Sequence, residues 1–230
     1  MLNPFLDNYG YNLSRKQLIA IFISPVIITL FVAILIIIPS SKSFGYWLLK
    51  ENNPIEMLTF LVFFVSGIYG LFMVKKNKAY LGLLFTIFYT FFSIVLILIA
   101  MEEIAWGQWF FHFDTPKEWQ DLNVQGETTL HNLTQIQGKN DVLRFIYGMG
   151  GLIGMLLGKI SFYKKVSVPN VLILWFIIIT IYAGLDIITD YIKLREGIMR
   201  AIYAITEVIE LLIAGSSFLY LWLNFKVVSL

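Results

Sequence analysis

Residues 79–101 read AYLGLLFTIFYTFFSIVLILIAM, 23 positions without a charge, and the run ends on Glu102-Glu103. A stretch of about 20 apolar residues in a helix crosses the hydrocarbon core of a bilayer. Working outward, similar runs occupy 17–39, 55–74, 142–163, 168–190 and 199–224. The composition agrees, at 58% hydrophobic and 14% charged residues, with a mean hydropathy of +0.77. A soluble domain carries about 25% charged residues, so this chain has too little polar surface for water. The expectation is an all-α polytopic membrane helix bundle, with about six transmembrane helices in one integral domain over 1–230. The segment 102–141, between helices 3 and 4, is the long polar connection and is expected to be partly helical or re-entrant.

The absence of cysteine excludes disulfides, Fe–S clusters and thiolate zinc sites. A net charge of +2 with no soluble basic domain gives no nucleic-acid partner. The run 17–39 is too long for a signal-peptide core and lacks an A-x-A site, so it reads as a retained anchor in the cell (cytoplasmic) membrane. A cytoplasmic N-terminus places Arg15, Lys16, Lys75, Lys76, Lys78, Lys159, Lys164, Lys165 and Lys226 inside, nine of 17 basic residues. That count barely favours one orientation. The compact basic turns Lys75-Lys76-Asn77-Lys78 and Lys164-Lys165 favour it more. The acids divide more sharply. Of 15 Asp and Glu residues, only Asp7 falls on the cytoplasmic side, whichever side is called outside.

Several acids lie within the apolar runs. Glu56 opens the second, Glu102 and Glu103 close the third, Asp186 and Asp190 share a face of the fifth, and Glu207 and Glu210 lie in the sixth. Glu210 is about 15 Å along the helix from Arg200. Intramembrane charges cost a few kcal/mol or more, face the bundle interior and need partners. Arg144, Lys193, Arg195, Arg200 and Lys139 are too few for these acids. They must therefore share protons, bind a cation or line a water-filled cavity. The plainer alternative pairs Arg144 and Arg200 with two acids and leaves the others as solvated helix ends.

The polar connection is rich in aromatics (Trp106, Trp109, Phe110, Phe111, Phe113, Trp119), as suits a membrane interface. Thr115-Pro116 is placed to cap and start a short helix. Glu127 and His131 are four apart, so a helical turn would set carboxylate beside imidazole. That spacing fits two ligands of one metal, or a histidine held by a carboxylate. His112, between Phe111 and Phe113, reads as structural. Oxygen-rich donors with one imidazole suit a divalent metal ion such as Zn, Mn, Fe or Mg.

The residues Glu102-Glu103-Ile104-Ala105-Trp106-Gly107-Gln108, then Thr115-Pro116, then Asn123, Gln125, Glu127, His131 and Asn132 carry a resemblance. They are similar to a motif of bacterial multi-pass membrane proteins, E-E-I-[SA]-W-G-Q, T-P and N-x-Q-x-E-x-x-L-H-N. Ala105 stands where that motif usually has Ser, so no hydroxyl role is assigned there. The family has no established activity, so the resemblance implies a membrane fold and the motif alone. Ceramidase-like intramembrane hydrolases require three histidines, and this chain has two. No P-loop, Rossmann, H-E-x-x-H or G-x-S-x-G motif occurs.

The reading that follows is an intramembrane metal-dependent hydrolase or transferase acting on a lipid or lipid-linked substrate at the outer leaflet. Glu103, Glu127, His131, Gln108 and Asn132 are the candidate catalytic residues. Glu102, Glu103, Glu127, His131, Glu207 and Glu210 are the candidate metal ligands. Glu56, Trp106, Gln125, Arg144, Asp186, Asp190 and Arg200 would surround them, with Arg144 or Arg200 holding a phosphate. A cation or proton transporter using the same carboxylates is the alternative. Against it, no polar residues are read as continuing the path inward. A non-catalytic sensor or partner subunit is a third. Gly150, Gly154 and Gly158, four apart, offer a close-packing face that suits helix packing or a homodimer.

Overall fold

Ser14 starts the first membrane helix, α1 (Arg15–Ile37), with a capping box: its hydroxyl accepts the Gln17 amide, and the Gln17 side chain accepts the Ser14 amide. In this computed structural model, residues 10–123, 126, 128–130, 140–189, 191–192 and 194–228 are described. The elements among them are helical. A short helix, α2 (Lys42–Leu48), follows α1 and presents the stacked rings of Phe44 and Trp47 outward. Pro54 at the first turn begins α3 (Pro54–Leu81).

The basic sequence Lys75-Lys76-Asn77-Lys78, expected to be a turn, is instead the end of α3. Lysine is a good helix former, and Lys78 in the last turn suits the helix dipole. The chain reverses at Gly82, whose φ of +77° lies in the region that glycine adopts without penalty. From there α4 (Leu83–Glu103) returns. The polar connection contains two single-turn helices, α5 (Gln108–Phe111) and α6 (Lys117–Gln120). The last three helices are α7 (Asn140–Leu157), α8 (Ile173–Thr189) and α9 (Glu196–Val228).

The chain is a helical multi-pass membrane protein. Among the described residues, five helical stretches are long and apolar enough to cross a membrane: Arg15–Ile37, Pro54–Leu81, Leu83–Glu103, Asn170–Thr189 and Glu196–Val227. The sixth expected span corresponds to α7, which is not among the five. Asn140, Asp141 and Arg144 lower the apolarity of its 18 residues. Side chains such as Ile27, Leu30, Phe31 and Ile37 on α1 are exposed, the inverse of a soluble surface.

The longest helix, α9, is the axis of the bundle and touches α1, α3 and α8. Its Ile209, Leu212, Leu221, Leu223 and Phe225 are fully buried. Helix α3 packs along α4 and α9, and α7 packs along α8. Glycine permits that last approach, because a Cβ on Gly151 would run into the Phe176 ring and one on Gly148 into Thr180. Gly154 and Gly158 face Val168 and Ser167 of the same chain, while Gly150 faces open space. The glycine face is therefore largely used within the chain.

Candidate acidic site

The antiparallel threading places Glu56 at the start of α3, Glu103 at the end of α4 and Asp141 with Arg144 at the start of α7. Asp186 is near the end of α8, and Glu207 and Glu210 are in the first half of α9. The bundle brings these groups together at one end. Glu103 lies in the electrostatic field of Glu210, Glu207, Glu56 and Arg144. Glu207 lies in that of Glu210, Glu56, Glu51 and Arg144. This is the gathering of acids that the sequence implies.

The cluster has two parts. In the first, the Arg144 guanidinium donates through Nε and Nη2 to Glu210 Oε1, at 3.2 and 2.5 Å. It also donates through Nη1 to Asp141, and Nη1 lies 4.0 Å from Asp186 Oδ2. One arginine thereby joins α7, α8 and α9, with its own side chain 13% exposed and that of Asp186 5% exposed. A partner for each buried charge is what a membrane interior requires. This engagement leaves little of Arg144 for a phosphate. Arg200 lies elsewhere, with its guanidinium 4.8 Å from the Tyr46 ring on α2.

The second part is Glu103 with Glu207. Both are half-buried, and no described residue hydrogen-bonds or ion-pairs with either. Glu56 is held at its helix end by the Asn52 amide, and Asn52 adopts φ +63° to present it.

Beside Glu103 the chain turns abruptly. Ala105, Trp106 and Gly107 have φ of +46°, +55° and +88°. Non-glycine residues adopt that region at a cost of order 1–3 kcal/mol each. The reversal is fixed by Glu102, whose Oε1 accepts the Trp106 indole N–H at 2.6 Å and whose Oε2 accepts the Leu130 amide at 2.6 Å. Gln108 continues this bracing. Its Nε2 donates to Thr115 Oγ1 (2.8 Å) and to the Phe113 carbonyl (3.1 Å), and its Oε1 accepts the Thr128 amide (2.9 Å). Thr115 donates to the Gly126 carbonyl at 2.6 Å, and Asn123 donates to the Thr129 carbonyl at 2.8 Å.

Glu102 and Gln108 therefore hold Gly126 and Thr128–Leu130 against the end of α4. The Thr115-Pro116 pair does precede a helix, but the hydroxyl of Thr115 serves the loop instead of capping α6. Gln125, Glu127, His131, Asn132 and Asp190 lie outside the described residues. Among the described residues no group of three or more His, Asp or Glu side chains is arranged to hold a metal ion.

The sequence reading missed Asp141, although its spacing of three from Arg144 signals a pair. It also missed Tyr147, Ser216 and Ser217. Tyr147 Oη lies 2.9 Å from Ser216 Oγ and 2.8 Å from Ser217 Oγ.

Comparison with protein-family models, curated proteins and solved structures gives no match for this chain. Fold and site together define a helical membrane protein with an acidic cluster, partly neutralised by one arginine, at one end of its bundle.

Proposed function

We propose that the chain is an intramembrane enzyme, a metal-dependent hydrolase or transferase acting on a lipid or lipid-linked substrate at the outer leaflet. In this reading α7 is the sixth span, the N-terminus is cytoplasmic and the protein resides in the cell membrane. The observation that carries it is the pair Glu103 and Glu207, two neighbouring carboxylates without a hydrogen bond or ion pair among the described residues. Two like charges, both half-buried, favour a shared proton or a bound cation. Carboxylate oxygens are the donors that divalent ions such as Mg²⁺ and Mn²⁺ prefer.

Glu103 and Glu207 would be the ligands from the helices, with Glu127 and His131 contributed by the loop. Glu210, engaged by Arg144, and Glu102, engaged by the loop, are better suited to positioning. A bound cation supplies an acidified water as nucleophile. Gln108 holds the loop that would flank the substrate.

The test is lipid turnover in a host membrane. Mass-spectrometric profiles are compared for cells making the wild type, Glu103→Gln or Glu207→Gln at equal membrane levels. Loss of a lipid-linked species in wild type alone supports the reading. Identical lipid profiles in all three contradict it.

A further inference from the structure

The polar groups of α9 do not stop at the acids. At 100° per residue, Thr206, Glu210, Ser217, Tyr220 and Asn224 fall on one narrow face of the helix. Each meets a polar group from elsewhere in the chain. Thr206 lies 3.2 Å from the Tyr182 hydroxyl of α8, and Glu210 binds Arg144 of α7. Ser217, with Ser216 beside it, meets the Tyr147 hydroxyl one turn beyond Arg144. Tyr220 donates to the Val166 carbonyl at 2.8 Å and stacks on Tyr89, whose own hydroxyl donates to the Lys165 carbonyl at 2.6 Å. Asn224 donates to the Ser167 carbonyl at 3.1 Å. Tyr147 and Tyr220 are also within electrostatic reach of one another.

The 18 steps from Thr206 to Asn224 cover about 27 Å of helix, close to the thickness of a bilayer core. The seam is buried throughout its lower half, with Ser216 and Ser217 fully inaccessible and Tyr220 5% exposed. It joins the acidic end of the bundle to the opposite end, where Lys164 and Lys165 lie. The sequence reading disfavoured transport for want of polar residues beyond the acids, and this seam supplies them.

Helix packing alone is a weaker explanation. Small residues and scattered hydrogen bonds suffice for packing in lipid, whereas here five polar positions between Thr206 and Asn224 keep to one face of the helix. Hydroxyl groups donate and accept at once, so a row of them can pass a proton along. Where successive groups are a turn apart, a single water can bridge them. Arg144 stays charged and takes no part in the transfer itself.

We propose that this seam carries protons between the acidic cluster and the opposite face of the membrane, through the hydroxyls of Tyr147, Ser216, Ser217 and Tyr220. A proton bound by a carboxylate at one end is matched by a proton released at the other, with no redox change. The proposal stands whether or not the cluster is hydrolytic.

The experiment is proton flux in liposomes of neutral phospholipid, with a trapped pH-sensitive dye and a potassium diffusion potential as driving force. The wild type should conduct well above protein-free liposomes. Tyr147→Phe and Ser217→Ala, each the loss of one hydroxyl, should each lower the rate by about tenfold. Tyr220→Phe should do the same at the far end. Thermal unfolding and helical circular dichroism of each variant serve to choose those that fold. Wild-type flux no greater than that of empty liposomes overturns the proposal, as does unchanged flux in the folded Tyr147→Phe and Ser217→Ala variants. Lipid turnover lost with Glu103→Gln, without any proton flux, would contradict the seam and leave the enzymatic reading standing.

Discussion

Two halves of one acidic cluster lie within a few helix turns of each other and differ in what surrounds them. Around Arg144 the acids Asp141, Asp186 and Glu210 have a cation, and the arrangement joins three elements of the bundle. Around Glu103 and Glu207 there is repulsion from neighbouring acids and no such partner among the described residues. The first half is what a membrane protein needs in order to bury charge at all. The second half costs stability unless its acids share a proton or hold a cation. On the proposed function, the difference separates the residues that hold the bundle from those that use it.

The largest effect should come from breaking the paired half. Arg144→Met leaves Glu210 without its cation, and should destabilise the detergent-solubilised protein by about 3–5 kcal/mol in denaturant unfolding. The comparison is sharpened by adding Glu210→Met, which removes the stranded charge and should recover part of that loss. If Arg144→Met is as stable as wild type, the paired half is not structural.

A smaller effect is expected where the loop joins the helix. Glu102→Ala removes the acceptor for both the Trp106 indole and the Leu130 amide, at about 1.5–3 kcal/mol for a hydrogen bond to a charged group. The loss should be local. Hydrogen exchange should accelerate at Leu130 and its neighbours while α9 keeps its protection. Global loss of protection would instead place Glu102 in the structural half.

Much of this architecture was legible from composition and spacing. Runs such as 79–101 imply bilayer-crossing helices on length and apolarity alone. Arg144 pairs with Glu210, as the plainer alternative had it, whereas the Arg200 of that alternative lies over the Tyr46 ring instead. Three features were not legible, each for a physical reason. The end of α3 lies at Gly82 because lysines extend a helix that their charge suggests should stop. The reversal at Ala105-Trp106 rests on a backbone conformation that neither residue signals; Gly107 alone gave a hint. The seam on α9 is hidden in a hydropathy profile, because isolated Ser, Tyr and Asn barely lower the mean of a long apolar helix. The polar groups that it meets on other elements show only once the helices are packed. Glu127 and His131, which the sequence joined to the acids, lie outside the described residues. The pairing of Glu103 with Glu207 carries the candidate site without them.

The central claim is that Glu103 and Glu207 form a site for an occupant, which a divalent cation fills. The most direct measurement is the thermal unfolding midpoint of detergent-purified wild type and Glu103→Gln, each with added Mn²⁺ and with chelator. At a hundredfold excess over its dissociation constant, a bound ion adds about 2.7 kcal/mol. For a chain of this size that raises the midpoint by about 5–10 °C. The account predicts this rise in wild type and its absence in Glu103→Gln, which in chelator should be at least as stable as wild type because it has lost one of the repelling charges. A wild-type midpoint indifferent to Mn²⁺, Mg²⁺, Zn²⁺ and Fe²⁺, or a rise equally large in Glu103→Gln, would contradict it.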